Sequence, residues 1–204
     1  MYFLPYSSGR HRRFETVAKE VLKRLVATWG SQVLPNDDPR VVAEIRRRLN
    51  DPNWQSTSAD LYVTDLPTWN DAEERVVLLE LETRKDYHFS ALLDYYQKYA
   101  SGMRDMDTQY DNVHVPYRKE LNGNISDLYV GMNKSCTTYF LIGMDVVHRF
   151  AQNDPVLQNS SDNEGGTVED EPYTEIPNRP RYVEYFDVPE GCGLTPLPED
   201  WLHL

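Results

Sequence analysis

The chain has 204 residues, 40% hydrophobic and 26% charged, a net charge of −12 and two cysteines. At roughly 150 residues per domain this is one globular unit with a core of its own, and no uncharged run approaches the ~18 residues that cross a bilayer. The acidity counts against a polyanion partner, while Cys136 and Cys192, far apart and outside any paired motif, exclude a cysteine-based zinc site, so that a metal would be held by oxygen.

The N-terminus, Met1-Tyr2-Phe3-Leu4-Pro5 followed by Arg10-His11-Arg12-Arg13, has too short an apolar stretch, with its charge on the wrong side, for a secretory leader. An intracellular, cytoplasmic protein is expected. Phe14, Val17, Ala18, Val21, Leu22, Leu25 and Val26 recur at steps of three and four, predicting an amphipathic helix from about residue 11 to Thr28 with Gly30 beyond its end. Asp37-Asp38-Pro39 offers an N-cap and a first-turn proline to a short helix with Val41, Val42, Ile45 and Leu49 on one side and Arg46, Arg47 and Arg48 around the rest.

The period then changes. Ala59 to Val63 and Arg75 to Thr83 read as two β runs forming a hairpin across a stretch containing Pro67 and Asn70-Asp71. Phe89, Leu92, Leu93, Tyr96 and Ala100 mark a further helix, and strands are expected at Asn112–Tyr117, Asp127–Met132 and Thr137–Gly143. Beyond Phe150 only Tyr182–Phe186 has a strand pattern. The order gives an α/β or α+β fold, a sheet with helices on it. Ser58-Ala59-Asp60-Leu61-Tyr62-Val63 and Ile125-Ser126-Asp127-Leu128-Tyr129-Val130 share Asp-Leu-Tyr-Val, but their flanks differ, so they read as two similar strands and not as a duplication.

Charge is unevenly spread. Residues 1–50 hold ten Lys and Arg against five Asp and Glu, residues 51–150 nine against sixteen, and residues 151–204 two against twelve. Residues 158–172 lack the apolar side chains that offset ordering entropy. Residues 1–151 are thus expected to form the core domain, 152–180 an acidic linker or loop, and 181–204 a strand and tail packed on the core. A polyanion partner returns to contention once the acidity is assigned to the linker.

The chemistry concentrates in Arg75-Val76-Val77-Leu78-Leu79-Glu80-Leu81-Glu82-Thr83-Arg84-Lys85. A strand period of two puts Val77, Leu79 and Leu81 on one face and Leu78, Glu80 and Glu82 on the other, with the two glutamate Cα atoms about 6.6 Å apart. Both carboxylates are then within reach of one hard cation. The plainer account is a solvated face carrying alternating Glu. Pairing with the preceding run would bring Asp60 towards Glu80 and Glu82.

This pattern resembles the PD-(D/E)xK nuclease superfamily, with its restriction-endonuclease-like central mixed sheet flanked by helices. Asp60 begins one strand, with Ala59 where the family name has proline; Glu80-Leu81-Glu82 falls on the next, with Glu82 in the lysine position; Glu15 on the first helix stands where many members carry a further acid; and the helix from about His88 to Ala100 falls where the packing helix belongs. The resemblance covers about residues 10–145. It implies a Mg²⁺- or Mn²⁺-dependent nuclease acting on DNA, of viral, mobile-element or repair type, with Asp60 and Glu80 as metal ligands, Glu82 as ligand or base and Glu15 as an outer ligand. Lys85 is the first choice for the displaced cation, ahead of Arg84 and Lys98. The Gln-X-X-X-Tyr element of exonuclease branches is missing after Gln97, where Ser101 stands four residues on, which favours an endonuclease. Asp65, before Pro67, is the rival to Asp60.

Arg10, Arg12, Arg13, Arg46, Arg47, Arg48, Arg118 and Lys119 are the candidates for DNA phosphates, against the plainer account of solvated helix faces. Tyr95, Tyr96 and Tyr99, at helical spacing, read as core before base-stacking groups. The histidines, His11, His88, His114, His148 and His203, have no ligand spacing. The alternatives are a catalytically inactive protein of the same fold that binds nucleic acid or a protein, and an interaction or DNA-mimic protein whose acidic 152–180 segment meets a partner. Membrane association is not expected, and a homodimer is left open.

Overall fold

The three- and four-residue recurrence near the N-terminus becomes α1, Ser7–Thr28, in a computed structural model that describes residues 7–49, 59–64, 75–84, 86–102, 111–116, 126–151 and 173–193. Its end is a Schellman turn: Gly30 takes φ +77°, the Ser31 N–H donates to the Val26 carbonyl at 3.1 Å, and the Gly30 N–H donates to Ala27 at 3.1 Å. β1 (Val33–Leu34) follows, then α2 (Pro39–Leu49), where Asp38 caps as expected by accepting the Arg40 N–H at 2.9 Å with Pro39 in the first turn.

The expected hairpin is β2 (Leu61–Thr64) antiparallel to β3 (Val76–Arg84), with Leu61 opposite Leu79 and Thr64 opposite Val76. After it come α3 (Asp86–Ala100), β4 (Asn112–Pro116), β5 (Leu128–Asn133), β6 (Thr138–Gly143), α4 (Met144–Ala151), β7 (Tyr173–Pro177) and β8 (Glu184–Asp187). The main sheet runs β1-β2-β3-β5-β6-β8. Every pairing in it is antiparallel except β3 with β5, whose parallel register needs a long crossover, here carrying α3 and β4. The chain is therefore a mixed α/β protein with a mostly antiparallel six-stranded sheet.

Several readings change. β4 leaves the main sheet and pairs with β7 in a separate two-stranded sheet, Val113 opposite Ile176. β7 falls inside the stretch expected to be a linker: residues 173–180 are part of the fold, because Ile176 and Asn178 are fully buried, and the Asn178 side-chain amide donates to the Leu92 carbonyl of α3 at 2.6 Å. The remainder of that stretch, 152–172, and the tail 194–204 lie outside the described residues. Helix α4 was not expected; its signal is Met144 and Val147 on one face, Asp145 in the first turn and His148 and Arg149 in the last. α1 begins earlier than its apolar period suggests.

Sheet faces follow the period-two rule. Leu61, Val63, Val77, Leu79, Leu81, Leu128, Val130 and Met132 meet Val17, Ala18, Val21, Leu22, Leu25 and Val26 of α1 in one core, which also takes in the buried Cys136 and Cys192. The opposite face carries two separate clusters. Val41 and Ile45 of α2 pack on Tyr62, Val76 and Leu78, whereas Phe89 and Leu92 of α3, Met144 and Val147 of α4, and the small sheet pack on Tyr129, Phe140 and Ile142. Among the described residues no helix is long and apolar enough to cross a membrane.

Candidate active site

The break between those two clusters falls on β3, where Glu80 and Glu82 stand. Both are buried, at 2% and 9% exposure, so the face they share is not the solvated one that alternating glutamates suggest. Burying a carboxylate is costly unless hydrogen bonds or a cation compensate, and two on one strand face double the demand. Glu82 accepts a hydrogen bond at 2.7 Å from the Tyr129 hydroxyl of β5, itself fully buried, and Tyr129 lies opposite Glu80 in the parallel register. Glu82 lies opposite Gly131, where an added Cβ would stand 2.0 Å from the Phe140 ring. Glycine there lets the ring lie across the strand beside the carboxylate.

Asp60 reaches the same strand from the other side. Its backbone N–H donates to the Leu79 carbonyl at 2.8 Å, and its Oδ2 accepts the Leu81 N–H at 3.0 Å, taking the position of a backbone carbonyl in the next rung of the ladder. The carboxylate thereby rests against the peptide that joins Glu80 to Leu81. Its Oδ1 lies 3.5 Å from the Lys19 ammonium of α1, and its side chain is 35% exposed. Glu15, half-buried, sits one helical turn before Lys19 and shares its side of α1. Sequence reasoning passed over Lys19; the available signal is its position four residues after Glu15. Asp60, Glu80 and Glu82 are brought to one pair of strands, yet among the described residues no three His, Cys, Asp or Glu side chains group as metal ligands. The expected convergence on a point is replaced by a buried pair with Asp60 turned along the ladder, because the Leu81 N–H takes one of its oxygens.

The Asp-Leu-Tyr-Val echo has a shared physical role. Asp127, before β5, accepts the Leu78 N–H at 2.9 Å just as Asp60 accepts that of Leu81, so each copy uses its aspartate to cap an N–H of β3, one from an antiparallel neighbour and one from a parallel one. Leu61 and Val63, like Leu128 and Val130, face α1; Tyr62 and Tyr129 face the other way. The two aspartates differ in company. Asp127 is 8% exposed and is held by Arg48 at 2.8 Å and Arg75 at 3.4 Å.

Of the basic candidates, Arg48 points inward: 12% exposed, it bridges Glu44 at 2.8 Å and Asp127, tying α2 to β5. Arg47 pairs with Glu44 at 2.6 Å on the surface, and Arg46 is exposed. Hydrogen bonding to Arg47 first, and to Arg48 as well, holds the Glu44 carboxyl below its ordinary value. α2 stands on the Glu80–Glu82 side of the sheet. Lys85, Arg118, Lys119 and Asp65, and the side chains of Arg10, Arg12, Arg13, Arg84 and His88, lie outside the described residues.

Comparison with protein-family models, curated proteins and solved structures found no match.

Proposed function

We propose that the protein is a Mg²⁺- or Mn²⁺-dependent nuclease that hydrolyses DNA phosphodiester bonds, acting as an endonuclease, with a restriction-endonuclease-like core. The observation that carries this reading is the burial of Glu80 and Glu82 on one face of β3 with Asp60 hydrogen-bonded to the peptide between Glu80 and Leu81. The order of elements supports it too: a helix carrying an acid, a strand opened by aspartate, an antiparallel strand with Glu-X-Glu, then a crossover helix and a parallel strand.

The donors fit a hard cation. They are carboxylate oxygens in a setting poor in water, and magnesium keeps several waters of its own, so a buried pair serves without a closed cage of protein ligands. When bound, such an ion polarises the phosphate and lowers the pKa of a coordinated water. The chain's own groups do the positioning. Tyr129 fixes one oxygen of Glu82 and leaves the other for a ligand or for the attacking water's proton. Leu81 N–H orients Asp60. Lys19 supplies a positive charge at Asp60 from the α1 face of the sheet, opposite the face that carries Glu80 and Glu82, and it takes precedence over Lys85 in this reading. Arg46 and Arg47, on the same side of the sheet, are the described candidates for phosphate contact.

The test is incubation of the purified chain with plasmid, linear duplex and single strands in Mg²⁺, Mn²⁺ or EDTA. Metal-dependent cutting that Asp60→Ala and Glu80→Ala abolish is expected, and unchanged cutting by both variants refutes the assignment. A second reading, an inactive protein of the same fold that binds nucleic acid or a protein, is favoured by the engagement of both Asp60 oxygens within the protein. Absence of divalent-metal binding by calorimetry would decide for it.

A further inference from the structure

Beyond position 151 the chain has only two basic residues, Arg179 and Arg181, among twelve acidic ones. Both belong to the turn between β7 and β8, and both lie over tyrosine rings: the Arg179 guanidinium 5.1 Å from the centroid of Tyr99, and that of Arg181 4.5 Å from Tyr182. Arg40, Arg47, Arg48, Arg75 and Arg149 face carboxylates, as arginines in an acidic protein are expected to. Arg179 and Arg181 instead have no ion pair or side-chain hydrogen bond among the described residues. A guanidinium held over a ring by a cation–π contact keeps N–H donors for an anion, and its planar fork matches a phosphate.

The rings extend the surface. Tyr95 and Tyr99, one turn apart on α3 and half-buried, stack with centroids 6.4 Å apart and planes 27° from parallel, and Phe150 meets Tyr182 edge-on at 5.1 Å. This layer packs, through Phe89, Ile176 and Val183, on the sheet face that carries Glu80 and Glu82. Aromatic rings beside phosphate-matching cations suit a polymer whose bases are free to stack, whereas a duplex keeps its base faces inside.

We propose that the surface formed by Tyr95, Tyr99, Arg179, Arg181 and Tyr182 binds single-stranded nucleic acid, with bases on the rings and phosphates on the two arginines. The class of partner rests on the nuclease reading above; the binding itself does not require cleavage. The test is fluorescence anisotropy of the full chain with a labelled oligothymidylate and with a matched duplex, over a range of salt and in EDTA. The wild type is expected to prefer the single strand. Arg179→Gln with Arg181→Gln is expected to weaken binding roughly tenfold or more and to flatten the log–log salt slope by about 1.4, the value for two lost phosphate contacts. Tyr99→Leu is expected to cost roughly tenfold and Tyr99→Phe to retain affinity, since the ring and not the hydroxyl carries the stack; circular dichroism checks that each variant is folded.

No binding of oligothymidylate by the wild type, preference for the duplex, or unchanged affinity and slope in the double arginine variant overturns the proposal. Single-strand binding without cleavage in Mg²⁺ or Mn²⁺ would remove the nuclease reading and leave this surface standing. Cleavage without such binding would do the reverse.

Discussion

Asp60 and Asp127 use the same local device, so replacing each by alanine separates the cost of the device from the cost of its surroundings. In Asp127→Ala the buried Leu78 N–H loses its acceptor, Arg48 at 12% exposure loses one carboxylate while keeping Glu44 and the Val76 carbonyl, and the exposed Arg75 loses a contact at 3.4 Å. An orphaned buried N–H costs about 1–3 kcal/mol and breaking a buried ion pair about 3–5, while the Arg75 contact is worth under about 1. These terms overlap, and the retained Glu44 moderates the second, giving a net loss of about 3–5 kcal/mol. Asp60→Ala orphans one N–H, that of Leu81, and frees a half-exposed Lys19, for about 1–2 kcal/mol. Urea unfolding measures both, provided m is unchanged, and Asp127→Asn should fall between them because it keeps an acceptor without the charge. Equal losses for the two alanine variants, or a loss under about 1 kcal/mol at Asp127, would refute the assignment of Asp127 to the scaffold and of Asp60 to the site.

Lys19→Met should lower Mg²⁺-dependent cleavage markedly while shifting stability by less than about 1 kcal/mol, because its ion pair with Asp60 is half-exposed; full activity in the variant would remove Lys19 from the site. Gly131→Ala places a Cβ 2.0 Å from the Phe140 ring and should destabilise by about 1–3 kcal/mol or more, read from the urea midpoint, with Gly131→Ala/Phe140→Leu recovering part of the loss. The Glu44 carboxyl titrates below its ordinary value because of Arg47 and Arg48, so its contribution is complete above the unfolded carboxylate pKa and disappears as pH falls through the lower, folded one. Wild type and Glu44→Gln should therefore differ in unfolding midpoint at neutral pH and converge in acid; a constant difference across that range would contradict the pairing.

Elements with a strong local period were legible. α1, α2 and the β2–β3 hairpin follow from apolar spacing, an Asp-Pro cap and a strand alternation, all of which act within a few residues. β1 and β7 are not marked in this way: two residues at Val33–Leu34 become a strand only by lying against Tyr62 and Val63, and Tyr173–Pro177 only by lying against β4. Composition misled at residues 173–180 because an acidic neighbourhood says nothing about a single buried Ile176 or Asn178. At the site, the shared face of Glu80 and Glu82 was legible from the period alone. Their burial was not, since it depends on Tyr129 and Phe140 from strands some fifty and sixty residues later. Lys19 was hidden for the same reason: its partner is 41 positions away.

Burial also changes what the Glu-X-Glu segment implies. On a wet face the pair would cost little and mean little. On β3 it interrupts what would otherwise be a continuous apolar face, dividing the α2 cluster from the α3 cluster, and it occupies the central strand, where every other residue from Val76 to Leu81 is a buried aliphatic. A leucine at either position would be expected to join those clusters and add stability on the order of 1.5–3 kcal/mol of apolar burial. A sequence optimised for folding alone has no reason to forgo that gain twice on one strand. The Tyr129 hydroxyl, itself fully buried and turned onto Glu82, belongs to the same exchange: a phenylalanine would fill the space without needing a partner. The polar set thus works against the stability of the core, a local inconsistency that the proposed centre on β3 would account for.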